Sequence, residues 1–214
     1  MARRALMVID VQNEYVTGDL PIEYPDVTVS LRNMGWAMDA ARECGIPVVV
    51  VQTTAPATAP IFAQGSAGWE LHEVVRSRGW DHYIEKRLPS AFVGTGLAAW
   101  IAEHGFDTLA VTGYMTHNCD DTTIKHAFDA GLAVEFLSDA SGSLAYENRA
   151  GRASAEEIHR VFSVVQQSRF AAVPTTEEWI QAVKTGAAPE RDSIYGSNRR
   201  ARQRRQVSRS TMEV

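Results

Sequence analysis

Leu109-Ala-Val-Thr-Gly-Tyr-Met-Thr-His-Asn-Cys-Asp-Asp-Thr-Thr-Ile124 passes from strand to helix within one short segment. The apolar run 109–111 ends at Gly113, a polar bend follows, and helical spacing resumes at Ile124, Ala127 and Phe128. The pattern predicts a buried strand, a tight turn, and a helix whose first turn carries Cys119. A helix N-terminus offers free backbone N–H groups and a partial positive charge. Both favour thiolate over thiol, and thiolate is the nucleophile. The same N–H groups can hold an oxyanion. The plainer reading of a lone cysteine is a small apolar residue packed at a helix start, so the rest of the chain decides between them.

Outward from this segment the same alternation repeats. Largely apolar runs at 5–9, 48–51, 83–84, 109–111, 133–137 and 170–173 predict six strands, those like 5–9 buried on both faces. Helical patterns lie between them. Leu31, Met34, Met38 and Ala41 share one face, and Gly45 stops that helix. Thr95 precedes a helix that ends at Gly105. Ser154-Ala-Glu-Glu157 is a capping box, and Thr175-Thr-Glu-Glu178 opens a last helix. Strand–helix alternation implies an α/β fold, a three-layer doubly wound sandwich with a mainly parallel six-stranded sheet and helices on both faces. Residues 53–68 show no regular pattern, as functional or mobile loops do.

The chain has 214 residues, 45% hydrophobic and 22% charged, which suits one compact domain over 1–186. Its net charge of −5 hides an asymmetry. Residues 187–214 carry seven arginines against Glu190, Asp192 and Glu213, a net +4, which leaves −9 on residues 1–186. An acidic body argues against a nucleic-acid surface on the fold. The Arg-rich tail would be disordered by itself and is expected to pack on a partner subunit. Cys44 and Cys119 make no disulfide framework, so a reducing cytoplasm is the expected compartment. No apolar stretch approaches the ~18–20 residues of a membrane span.

Three reactive side chains fall at or beyond strand C-termini, where doubly wound sheets bind ligands. Asp10 closes the first strand, Lys86 the third, and Cys119 follows the fourth. A carboxylate, an ammonium and a thiol at one sheet edge can serve as base, electrostatic partner and nucleophile. Each alone has a dull reading, as a turn residue, a solvated lysine or a packed thiol. Together they are a coincidence that calls for chemistry.

Val8-Ile-Asp-Val-Gln-Asn13, then Lys86 with Ser90-Ala-Phe92, then Thr112-Gly-Tyr-Met-Thr-His-Asn-Cys119 resemble the isochorismatase-like cysteine hydrolases over roughly 4–184. The resemblance implies strand order 3-2-1-4-5-6 and a catalytic set of Asp10, Lys86 and Cys119. It also implies a cis peptide between Tyr114 and Met115, and an oxyanion hole made by the N–H groups of Met115 and Cys119. The expected reaction is cleavage of a C–N bond in a small amide, carbamoyl or ureido compound through a thioester on Cys119. Gln12, Tyr15, Phe92, Tyr114 and His117 are candidates for the substrate pocket. Dimers or tetramers are expected from the same resemblance, with a small-molecule substrate and neither nucleic acid nor membrane as partner.

Departures from the pattern matter as well. The metal-binding branch of the family has an Asp-x-His pair after the second strand, where this chain has Gln52-Thr-Thr-Ala-Pro56. His72 alone makes no zinc site, so no metal and no cofactor are expected. Asp120 follows the cysteine where the family often has an aliphatic residue, and an acid there opposes Lys86 in setting the thiol's protonation. His117, two residues before Cys119, offers a separate route to a thiolate, although Asp10 already fills the base role. The competing functional class is a thiol-based redox or small-molecule-binding protein on the same fold. A nicotinamide-dependent reductase is disfavoured, because no Gly-x-Gly-x-x-Gly turn follows the first strand.

Overall fold

The computed structural model describes residues 2–210, with side chains through 204; Arg205, Arg209 and Glu213 of the basic tail lie outside the described side chains. Five strands form the main sheet: β1 (Arg4–Ile9), β2 (Val48–Thr53), β3 (His82–Lys86), β4 (Thr108–Tyr114) and β5 (Ala133–Gly142). Their order is β3-β2-β1-β4-β5, and every pairing is parallel. A small antiparallel hairpin, β6 (Tyr146–Asn148) and β7 (Gly151–Ala153), stands apart. The helices are α1 (Val27–Glu43), α2 (Glu73–Arg76), α3 (Leu97–His104), α4 (Asp121–Asp129), α5 (Ala155–Val165), α6 (Thr176–Thr185) and α7 (Ile194–Ser210). No helix among the described residues is long and apolar enough to cross a membrane.

Alternate residues of each strand feed two buried clusters, one on each face. Leu6, Val8, Val48, Val50 and Ala110 pack with Met34 and Met38 of α1 and Trp179 of α6. Met7, Ile9, Val49, Val51, Leu109 and Val111 pack with Leu97 and Ile101 of α3 and Ile124 of α4. Both faces are covered, which is why these strands read as unbroken apolar runs. The helix starts follow the sequence closely. Ser154 and Thr175 both form complete capping boxes, and the Thr95 hydroxyl accepts a hydrogen bond from the Leu97 N–H.

The expected sixth strand is cut to a single bridge. The chain leaves α5 through a π-helical turn, Gln166–Phe170, and reaches Pro174, which has no N–H to donate. Only Ala172 pairs, in parallel, with Glu135. The Phe136 N–H donates to the Ala172 carbonyl at 2.7 Å, and the Ala172 N–H to that of Val134 at 2.9 Å. Its place beside β5 is the one expected, but it is not a strand.

In the tail, Ile194–Ser210 form α7, rooted against the 166–170 turn. Arg4 ties the segment between α6 and this helix to the sheet. Its guanidinium pairs with Glu135 at 2.9 Å, both side chains buried, and donates to the Ala187 carbonyl at 2.9 Å. Trp179 Nε1 donates to the same glutamate at 2.8 Å.

Candidate active site

The C-terminal ends of β1, β2 and β3 bring three side chains into line. Asp10 follows β1 directly, Thr53 ends β2, and Lys86 ends β3 in register with Thr53. Cys119 reaches them from the other side, on a π-helical turn, Thr116–Asp120, between β4 and α4. Gly113 permits this approach. It has φ 127°, and a Cβ there would lie 2.0 Å from the Ile9 carbonyl oxygen. The Tyr114–Met115 peptide bond is cis.

Lys86 Nζ stands 2.7 Å from Asp10 Oδ2, 2.7 Å from Thr53 Oγ1 and 3.2 Å from Cys119 Sγ. The Thr53 hydroxyl donates to Asp10 Oδ2 at 2.9 Å. All three predicted reactive groups are buried, with Cys119 only 5% exposed. Asp10 Oδ1 has no hydrogen-bond partner among the described residues, so one oxygen is left to receive a proton. Asp10 itself lies in the left-handed region, at φ 52°, a conformation that Asp and Asn tolerate better than most residues.

The electrostatics set the resting state. Burial pushes the Cys119 thiol well above its ordinary range, the Asp10 carboxylate pushes it further, and Lys86 pulls it back without prevailing. Burial also works against the Lys86 ammonium, but Asp10 and the sulfur outweigh it and hold that pKa above its usual value. Burial and the Asp10 carboxylate thus favour the thiol over the thiolate. The Met115 N–H makes no hydrogen bond among the described residues, and Cys119 follows four residues on across the turn.

The structure distributes the other candidates differently. Gln12 is wholly buried and spends its side-chain amide on the backbone of Thr53 and Trp69, which anchors the 53–70 loop to β1. Tyr114 is a core residue, its hydroxyl 2.8 Å from Ser30 Oγ. Tyr15 packs between Tyr114 and Phe62, close enough for the sulfur and Asp10 to raise its pKa on top of burial. Phe92 shares a buried cluster with Cys119 and stacks on His126 at 4.6 Å. His72 caps α2, accepting from the Val74 N–H at 3.2 Å. Among the described residues no cluster of three or more His, Cys, Asp or Glu side chains could hold a metal ion.

His117 is the candidate that faces open space. A cavity of about 400 Å³ is walled by His117, Tyr146, Asn148, Arg152, Ile158 and Phe162. The Tyr146 hydroxyl meets His117 Nε2 at 3.0 Å and Met115 Sδ at 3.9 Å, so the β6–β7 hairpin stands over the reactive turn. His117 Nδ1 lies 3.1 Å from Ser143 Oγ, and burial lowers its pKa to about 4, which keeps the ring neutral. Behind it, His159 of α5 meets Thr116 Oγ1 at 2.8 Å. Thr53, Tyr146 and His159 were not singled out from sequence. For Thr53 the available signal was its place at a strand end; Tyr146 and His159 carried none.

Comparison with known proteins places the chain as a whole. The family model described as the isochorismatase domain matches residues 4–182. A crystal structure of an isochorismatase-type protein from Burkholderia xenovorans LB400 superposes with TM-score 0.95 at 68% identity, covering 96% of this chain and 99% of the other. YddQ of Bacillus subtilis, an isochorismatase family protein, is 31% identical over 179 residues, 83% of this chain and 98% of its own. Maleamate amidohydrolase of Pseudomonas putida is 25% identical over 155 residues, 64% of this chain and 71% of its own.

Proposed function

This chain belongs to the isochorismatase family of hydrolases, and from that premise we propose that it cleaves a C–N bond in a small amide, carbamoyl or ureido compound through a thioester on Cys119. The observation that carries this reading is one buried ammonium, Lys86 Nζ, touching both the Asp10 carboxylate at 2.7 Å and the Cys119 sulfur at 3.2 Å. The similarity to maleamate amidohydrolase supports amides as the substrate class.

In this mechanism substrate binding precedes charge separation, since burial and Asp10 favour the thiol over the thiolate. Asp10 takes the thiol proton on its free oxygen as the sulfur attacks the carbonyl carbon. Lys86 stays charged and steadies the sulfur as its charge develops. The tetrahedral oxyanion rests on the Met115 and Cys119 N–H groups; one donor in such a hole is typically worth about 3–4 kcal/mol. Asp10 then passes its proton to the leaving nitrogen, which departs as ammonia or an amine. Water attacks the thioester with Asp10 again as base, and the carboxylic acid and the thiol are released. Cys119→Ala should abolish release of ammonia from a panel of small amides while leaving the circular dichroism spectrum unchanged. Full turnover in that variant would remove the covalent route.

A redox sensor is the second reading, and the burial of Cys119 weighs against it. Sensor thiols are exposed and acidic, whereas this one is 5% exposed and raised in pKa. Rapid peroxide oxidation of Cys119 with no hydrolysis of any amide would reverse that order. We further propose a reducing cytoplasm as the compartment, in keeping with two free cysteines. We propose also that two or more copies associate through the basic tail, whose charge complements the acidic body.

A further inference from the structure

Asp120 follows Cys119 and is 0% exposed, and neither of its carboxyl oxygens has a hydrogen-bond partner among the described residues. Its neighbour Asp121 shows what a satisfied acid looks like here, taking Lys125 at 2.7 Å and Gln166 at 2.6 Å. Several groups face Asp120. Asp10 lies beyond β1 with Tyr15 after it, Lys86 ends β3, Tyr114 ends β4, Ser141 is on β5, and Asp121 is on its own helix. Lys86 is the only cation among them, and it is already shared by Asp10, Thr53 and Cys119. The Ser141 hydroxyl is near enough to favour the anion slightly, yet it makes no hydrogen bond of ordinary geometry. A buried carboxylate without donors is strongly disfavoured, and such a group keeps its proton instead.

Resting on the cysteine-hydrolase reading, we propose that Asp120 is a positioning residue that works as a neutral carboxylic acid and sets the charge balance around Cys119. With Asp120 protonated, Asp10 and Lys86 cancel at rest. When the thiol proton moves to Asp10, thiolate and Lys86 cancel in turn, so the crevice stays neutral through the step. If hydroxide removes the Asp120 proton at alkaline pH, one surplus negative charge enters the crevice and the thiolate becomes harder to form. Burial and the Asp10 charge both push the Asp120 carboxyl well above the ordinary carboxylate range, in keeping with this assignment. An acid held protonated in the fold costs stability as pH rises above about 4, where the unfolded chain releases that proton, by up to about tenfold in the folding constant per pH unit.

The test uses the full chain in a Cys44→Ser background, with Asp120→Asn and Asp120→Leu as neutral replacements. Infrared difference spectra against Asp120→Asn should show a protonated carboxyl band in the parent at pH 7. Iodoacetamide labelling of Cys119 from pH 7 upward should follow one curve in the parent and both variants while that band persists, and should lag in the parent once the band is lost at higher pH. The melting-temperature advantage of Asp120→Asn should widen from pH 5 to pH 8. If Asp120→Asn does not fold, the Leu variant supplies both the spectrum and the labelling curve. Only carboxylate bands at pH 7, or a labelling curve displaced in the variants at pH values where the parent's carboxyl band persists, would overturn the assignment. Neither readout needs a substrate, so a failure here stays distinct from the failure of hydrolysis that Cys119→Ala detects.

Discussion

Thr53 shows how far single residues can be read. Its hydroxyl spans the ion pair, accepting from Lys86 at 2.7 Å and donating to Asp10 at 2.9 Å. Asp10, Lys86 and Cys119 were legible because acids, ammonium groups and thiols announce chemistry at strand ends. A threonine on a strand announces only β-propensity, so its role emerges from the register that sets it beside Lys86. Thr53→Val should destabilise the fold by about 1–3 kcal/mol in urea titration, because it leaves part of a buried pair without its bridge. Lys86→Met should cost more, about 3–5 kcal/mol near neutral pH, since it strands the Asp10 carboxylate in the interior. Adding Asp10→Asn to Lys86→Met should return much of that loss, and additive losses in the double variant would show that the two groups do not depend on each other. Asn also tolerates the left-handed backbone of Asp10, so Asp10→Asn should fold while losing turnover.

Elements differ in how much of their fate is local. The capping boxes at Ser154 and Thr175 were legible because everything they need lies within four residues. The missing sixth strand was not, because its length depends on where the π-helical turn 166–170 releases the chain before Pro174. The turn bearing Cys119 was expected as the start of an α-helix and is instead a π-helical segment leading into α4. Behind it α5 presses His159, and both that ring and His117 are lowered to about 4, chiefly by burial. Unfolding frees both imidazoles to take up protons. Their contribution to stability is therefore complete above about pH 6.5 and is lost as pH falls toward 4. Melting temperatures of the parent should drop steadily across that window, and His159→Gln should flatten part of the slope. Ser154→Ala should cost about 1 kcal/mol by loosening the same helix at its start.

At the scale of the whole molecule, parallel topology was legible from alternation alone, since short crossovers of one hand leave few arrangements open. The tail was not, because composition reports the absence of a core and says nothing of what holds a helix in place. Deleting residues 192–214 should lower the molar mass measured by light scattering, and the full chain should lose mass likewise as salt rises. An unchanged mass would assign assembly to another face. The Arg4 clasp on the Ala187 carbonyl pins the segment that follows α6 at the start of β1, whereas the sulfur lies past the far end of the strands. Six residues of parallel strand, about 20 Å, separate the two. A bulky label attached through Ala187→Cys in a Cys44→Ser background should therefore leave hydrolysis at the pace of the unlabelled protein.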